Sequence, residues 1–260
     1  MNAVIRELYE SRIAKDGDGN PVDIGLSPIG YNEGKALYDF VCNINAKKTM
    51  EIGMAYGMSA LFMCQAHRDK NIGGSHVAID PEQSTYFKSI GKINVKRAGL
   101  AEYLQIYEGP SYDVMPQLLK KEERFDLVFI DGMHTFDYAL LDFFFADQLL
   151  RPGGYVIFDD VWMPAIRKVL MYVLRNRHYR LEPQLFGSSA PLLTRAWQFL
   201  QNDPGARYKL KLAAKYILRN PLDFESLTSA LSLSLKGGLY YWAVQKVSDD
   251  NREWNHHRSF

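Results

Sequence analysis

Apolar positions along this chain keep two alternating rhythms. Short apolar runs at Thr49–Ile52, Ser75–Asp80, Leu104–Tyr107, Phe125–Ile130 and Tyr155–Phe158 predict β-strands. Between them lie stretches with helical spacing, over Glu33–Asn43, Met58–His67, Gln83–Ala98, Asp113–Lys121 and Thr135–Leu150, the last closed by an Arg151-Pro152-Gly153-Gly154 stop and turn. Phe125–Ile130 is apolar at nearly every position, as strands buried on both faces are. Strands that alternate with helices at this spacing predict an α/β fold, a Rossmann-like doubly wound, mostly parallel sheet with helices on both faces.

The two ends depart from that rhythm. Residues 1–30 read as an amphipathic helix, a loop from Asp16 to Gly25 and a Ser27-Pro28-Ile29-Gly30 turn, leading into a core over 31–186. After a helix near Pro164–Arg177 and a strand near Tyr179–Leu185, a helical insertion over 187–236 predicts a cap. A final core strand within Leu239–Val247 and a tail complete 237–260. Between Arg195 and Arg219 the cap carries Arg195, Arg207, Lys209, Lys211, Lys215 and Arg219 against Asp203 alone, which favours a solvated helix face over an acidic-ligand or nucleic-acid patch. A homodimer contact through the cap or the N-terminal helix fits this layout.

Composition narrows the function classes. A formal charge of +1 over 260 residues gives no global attraction to nucleic acid or to a membrane surface. Cys42 and Cys64 lack C-x-x-C spacing and read as reduced thiols, no apolar run reaches spanning length, and the charged N-terminus offers no secretory segment. The expected setting is cytoplasmic, and the expected partner a small molecule.

Candidate chemistry collects where the predicted strands end, the edge at which parallel sheets bind ligands. After the first strand comes Glu51-Ile52-Gly53-Met54-Ala55-Tyr56-Gly57-Met58-Ser59, a strand-to-helix turn with an acid and glycines that let a ligand approach the main chain. Ser59 and the first N–H groups of the following helix offer donors to a ligand carboxylate. Ala55 and Met58 stand where G-x-G-x-x-G would need glycine, so S-adenosylmethionine, which has no phosphate, fits better than a dinucleotide. Asp80, followed by Pro81, is placed to accept ribose hydroxyls, or else serves as a turn aspartate. Asp131, Asp159 and Asp160 end neighbouring strands, and crowded carboxylates of this kind suit a hard divalent ion such as Mg²⁺. Strand alternation would send Asp159 and Asp160 to opposite faces unless the backbone turns between them. His134, three residues beyond Asp131, is a candidate proton acceptor, whereas His67, His76, His178, His256 and His257 lack acidic company and read as structural or surface residues.

These residues together resemble class I S-adenosylmethionine-dependent methyltransferases of the catechol O-methyltransferase type, and most closely bacterial methyltransferase-24 and macrocin O-methyltransferases. The resemblance rests on Glu51–Ser59, on Gly109-Pro110-Ser111-Tyr112-Asp113-Val114-Met115-Pro116-Gln117-Leu118, on Ile130–His134, and on Leu149–Gly154 with Phe158-Asp159-Asp160-Val161; it covers roughly 27–170. It implies that Glu51, Gly53, Met54, Tyr56, Gly57 and Ser59 form the methionine side of the cofactor site. Asp80 and Pro81 would serve the ribose, Ser111 and Tyr112 the adenine, and Asp131, Asp159 and Asp160 would hold Mg²⁺, with Asp131 also beside the cofactor. Lysine stands as the base in the catechol enzymes where this chain has His134, and asparagine where it has Asp160.

The resulting expectation is a Mg²⁺-dependent O-methyltransferase in which Asp131 and His134 act on a hydroxyl of a sugar or phenolic diol. The enzyme alternative is a metal-independent or N-directed methyltransferase. From another class comes a non-catalytic binding protein that uses the basic cap.

Overall fold

The computed structural model describes residues 1–25, 29–71, 73–161, 163–182, 241–253 and 256. In chain order these form α1 (Ala3–Ser11), β1 (Ile13–Lys15), β2 (Pro21–Asp23), α2 (Tyr31–Asn43), β3 (Lys48–Ile52), α3 (Met58–Lys70), β4 (Ser75–Ile79) and α4 (Ile90–Arg97). A short 3₁₀ turn leads to β5 (Leu104–Tyr107), then α5 (Ser111–Lys120), β6 (Phe125–Ile130), α6 (Phe136–Leu149), β7 (Leu150–Phe158), α7 (Pro164–Asn176), β8 (Tyr179–Glu182) and β9 (Trp242–Lys246). Among the described residues no helix is long and apolar enough to cross a membrane.

β1 and β2 pair as a hairpin, and the other strands form one seven-stranded sheet in the order β5-β4-β3-β6-β7-β9-β8. The β4, β5, β6 and β7 pairings with their neighbours on the β3 side are parallel, while β9 runs antiparallel to both β7 and β8. The chain therefore fills the sheet outward from β3 to β5, returns, and fills the other half from β6. Between β3 and β6 the connections leave in opposite directions, which opens the crevice where such sheets bind ligands.

Register fixes what stands at that crevice. Ile52 pairs with Ile79 and Ile130, and Ile130 pairs with Phe158, so three adjoining strand boundaries end in line. The residues that follow them, Gly53, Asp80, Asp131 and Asp159, therefore stand side by side along one edge.

Both faces of the sheet are covered. One packs Met50, Val128 and Val156 with Met115 and Leu118 of α5, Phe143 and Ala146 of α6, and Val169 and Val173 of α7. On α2 and α3, Leu37, Phe40, Leu61 and Phe62 are buried. These helices cross closely at Gly34, where a Cβ would lie 2.0 Å from the Phe62 ring. Branched and aromatic side chains on both faces explain why β6 reads as an unbroken apolar run.

The structure corrects several expectations. The Asp16–Gly25 loop is the tip and return arm of the β1–β2 hairpin, in which Ile13 pairs with Asp23 and the Asp16 carboxylate accepts from the backbone of Asp18 and Asn20. Strands of three residues are too short to show alternation. The helix expected over Gln83–Ala98 begins only at Ile90, because Lys88 and Ser89 take left-handed conformations (φ 50° and 58°) that no α-helix can run through. The stop and turn at Arg151–Gly154 lies within β7 as a register shift, with Gly153 at φ 84°. The helical cap over 187–236, its basic run, and residues 183–185 of the expected strand lie outside the described residues.

Candidate active site

The loop after β3 is pinned between two neighbouring strands. Gly53 N–H donates to the Ile79 carbonyl and Asp131 N–H to the Ile52 carbonyl. A Cβ on Gly53 would stand 2.0 Å from the Asp131 carbonyl oxygen, and φ at this position is 89°, so conformation and space both require glycine. Gly57 has φ 79° and passes against the backbone of Gly91, while Met54 is buried and packs on both glycines. Tyr56 turns outward and meets the Phe87 ring edge-on at 5.2 Å.

Asp80 sits beneath this loop and clamps it. Its Oδ2 accepts from Met54 N–H at 3.0 Å, Ala55 N–H at 2.7 Å and Gln83 Nε2 at 3.2 Å, and its Oδ1 accepts from Glu82 N–H at 2.8 Å. Gln83 also donates to the Ala55 carbonyl at 2.6 Å. The turn-aspartate role is thus realised, with Oδ1 retaining acceptor capacity for a ligand hydroxyl. Pro81, exposed, opens the turns that replace the first half of the expected helix.

Glu51 is fully buried below the loop, where its Oε2 accepts from Ser59 Oγ at 2.5 Å. This changes the part expected of Ser59. A hydroxyl has one proton, and here it goes to Glu51, so a ligand carboxylate at this turn must be met by main-chain N–H groups at the start of α3. At the other flank Ser111 Oγ donates to the Asp142 carboxylate, and Tyr112, 41% exposed, faces Tyr138 with ring centroids 6.3 Å apart. Burial pushes the Asp142 carboxyl up to about 6.

The acids at the ends of β6 and β7 draw together. Asp160 has φ 50°, the backbone turn needed for consecutive aspartates to face one region. Ligand-type atoms of Asp131, His134 and Asp160 all lie within 4.8 Å of one another. Asp159 stands behind that group, 8% exposed, with Oδ1 accepting from Asp160 N–H at 2.7 Å and its carboxyl bonded to Asp131. Of the expected triad, then, Asp131 and Asp160 join with His134, and Asp159 supports Asp131.

Charge in this cluster is unbalanced. Burial, followed for Asp159 by the charges of Asp131 and Asp160, raises the carboxyls of both Asp131 and Asp159. His134 Nε2 lies 3.4 Å from Asp131 Oδ1 and 2.9 Å from Asp160 Oδ2, ion-pair contacts without hydrogen-bond alignment. Contact with Asp131 first and Asp160 second pushes this imidazole up to about 10. Two carboxylates set against one imidazole at the strand ends, with Asp159 behind them, form a donor set suited to a hard cation.

Gln83, Asp142 and Gly91 also belong to the site, although the motifs in the sequence do not include them. For Asp142 a signal existed, a charge set among Leu140, Leu141 and Phe143 in an apolar helix. Gly91 carried none, since its partner Gly57 is distant in sequence, and Gln83 stands close to Asp80 but reaches the loop through the remote Ala55 carbonyl.

A methyltransferase domain model matches residues 50–161. Caffeoyl-CoA O-methyltransferase of Pinus taeda is 30% identical over 189 residues, covering 65% of this chain and 69% of that protein. Catechol O-methyltransferase of Niastella koreensis is 31% identical over 144 residues, 53% of this chain and 58% of that protein. Among solved structures, an O-methyltransferase from Bacillus cereus in complex with SAH superposes with a TM-score of 0.59 at 21% identity, covering 70% of this chain and 83% of that one. The O-methyltransferase TomG of Streptomyces achromogenes, in complex with SAM, gives 0.57 at 21% identity over 70% and 82%. Glycine loop, aligned strand ends, acid cluster and relatives agree, and the chain belongs to the class I S-adenosylmethionine-dependent O-methyltransferases.

Proposed function

We propose that this protein transfers the methyl group of S-adenosylmethionine to a hydroxyl of a small molecule, with Mg²⁺ held by Asp131 and Asp160 and supported by Asp159. The observation that carries the metal is the convergence of Asp131, His134 and Asp160 ligand atoms within 4.8 Å. When bound, the cation supplies Lewis acidity to a substrate oxygen, and the sulfonium supplies an activated methyl group. The Glu51–Ser59 loop, Asp80 and Pro81 would line the cofactor's methionine and ribose side, and Ser111 with Tyr112 its adenine side.

His134 is the candidate base, accepting the hydroxyl proton at Nε2, the atom that faces Asp131 and Asp160. While those carboxylates lack another cation, they hold the imidazole protonated. Its neutral form therefore requires their charge to be taken up elsewhere. Asp131 and Asp160 then steady the imidazolium produced by proton transfer. Holding both reactants at one sheet edge provides proximity and a fixed electrostatic setting.

The relatives named for catechol and caffeoyl-CoA support a phenolic diol as the first acceptor class, with sugar hydroxyls next. Free thiols at Cys42 and Cys64 support a reducing, cytoplasmic setting. Tyr138, Leu141 and Phe144, exposed along α6, support pairing of two copies. Calorimetry with S-adenosylhomocysteine, followed by a methyl-transfer screen over diols and sugars with and without chelator, tests the proposal. Binding to the wild type and chelator-sensitive transfer that is lost in Asp131→Ala are expected. Absence of binding removes the cofactor, and full activity in Asp131→Ala removes the metal role.

A further inference from the structure

Beneath the glycine loop runs a line of buried polar side chains. Ser59 Oγ donates to Glu51 Oε2 at 2.5 Å, and Glu51 Oε1 lies 3.3 Å from His76 Nε2. His76 Nδ1 is 2.9 Å from Thr49 Oγ1, which is 2.8 Å from His67 Nε2. All five residues are at most 4% exposed. Among the described residues neither Glu51 Oε1 nor His76 Nε2 makes an aligned hydrogen bond, and a buried polar atom left unmatched is costly, so the 3.3 Å contact pairs the two.

The direction of the chain follows from its ends. A carboxylate only accepts, so His76 must present N–H at Nε2, which makes Nδ1 of the neutral ring an acceptor. Thr49 O–H then donates to His76 Nδ1 and its oxygen accepts from His67 Nε2–H. The reverse arrangement would set a ring lone pair against the carboxylate. His67 suits the uncharged tautomer, because burial lowers its pKa to about 4. One polarity thus runs from His67 at the end of α3, through β3 and β4, back to Ser59 at the start of α3.

We propose that His76 is a positioning residue of the cofactor site: its Nε2–H holds the Glu51 carboxylate, which fixes the Ser59 hydroxyl as a hydrogen-bond acceptor in the first turn of α3. A ligand then meets oxygen lone pairs at Ser59 and N–H groups from the main chain beside it, a pairing suited to an amino acid's ammonium and carboxylate. This rests on the reading of the loop as the methionine side of an S-adenosylmethionine site. Neither His76 nor Thr49 reaches a ligand; both act through Glu51.

Two substitutions separate the donor from the bulk of the ring. Gln at 76 places an amide near the Nε2 position and keeps a donor for Glu51, whereas Asn places its amide near Nδ1 and leaves Glu51 Oε1 without one. Calorimetric titration of the full chain with S-adenosylhomocysteine should show affinity about tenfold weaker in His76→Asn and near wild type in His76→Gln. Equal losses in both, or none in His76→Asn, overturn the proposal. Should His76→Asn not fold, Thr49→Val, which is isosteric and frees the His76 ring, should still weaken binding several-fold, and unchanged affinity in that folded variant overturns it as well. Failure of the wild type to bind removes the cofactor reading and this inference with it, a result distinct from binding that is indifferent to residue 76.

Discussion

Single residues at this site are set by neighbours remote in sequence. Gly53 can be picked out as a loop glycine from its place after a strand, yet the atom that forbids a side chain there is the Asp131 carbonyl oxygen. Asp142 is the sharper case. Its carboxyl is held by Ser111 and raised by burial from 3.8 to about 6, so the folded chain binds this proton more tightly than the unfolded chain does. Stability from this group is therefore full below the unfolded value, falls as pH climbs from about 4 to about 6, and stays reduced above. Asn at 142 can still accept from Ser111 and carries no charge to bury. Asp142→Asn should stabilise the protein by about 1–3 kcal/mol near neutral pH and by almost nothing near pH 4. Urea midpoints at the two pH values check this, and an equal gain at both would refute the buried charge as its source.

Elements were legible where periodicity had room to repeat. Phe125–Ile130 and Leu104–Tyr107 fall where the pattern puts them, because apolar runs in a buried sheet need no outside information. The β1–β2 hairpin escaped because its strands are short, and the late start of α4 because its cause is the local backbone at Lys88 and Ser89. Junctions between elements were equally hidden. On β9, Lys246 is 2% exposed, donates to the carbonyls of Asp147 and Leu150 at the end of α6, and pairs with Asp249. Asp147 itself is buried, bonded to Arg177, and accepts from Tyr179 at 2.7 Å. Lys246→Met keeps the stem and removes the charge, leaving the α6 carbonyls and Asp147 short of a partner. A stability loss of about 2–4 kcal/mol by urea denaturation is expected, and a neutral result would show that Arg177 and Tyr179 suffice.

At the scale of the molecule, sheet order does the gathering. Asp131 and Asp160 are brought together because β6 and β7 pair in parallel with aligned ends, and the turn at Asp160 points its carboxyl toward Asp131 and His134. A cation that binds only the folded cluster must stabilise it by mass action. Saturating Mg²⁺ should raise the melting temperature by about 2–4 °C, and Asp131→Asn should abolish the rise. Differential scanning calorimetry decides it, and an unresponsive wild type would count against the metal.

The alternation of strands and helices, the glycine loop, and an acid at nearly every strand end are each written in a few consecutive residues of the chain. Folding alone sets His134 beside Asp131 and Asp160, with the Asp159 carboxyl bonded to Asp131 behind them. It alone decided that Ser59 gives its proton to Glu51 and that His76 stands behind that carboxylate. Local pattern reports hydrophobic period and backbone freedom. Hydrogen-bond polarity and the sharing of charge depend on distances between strands that only folding brings into contact.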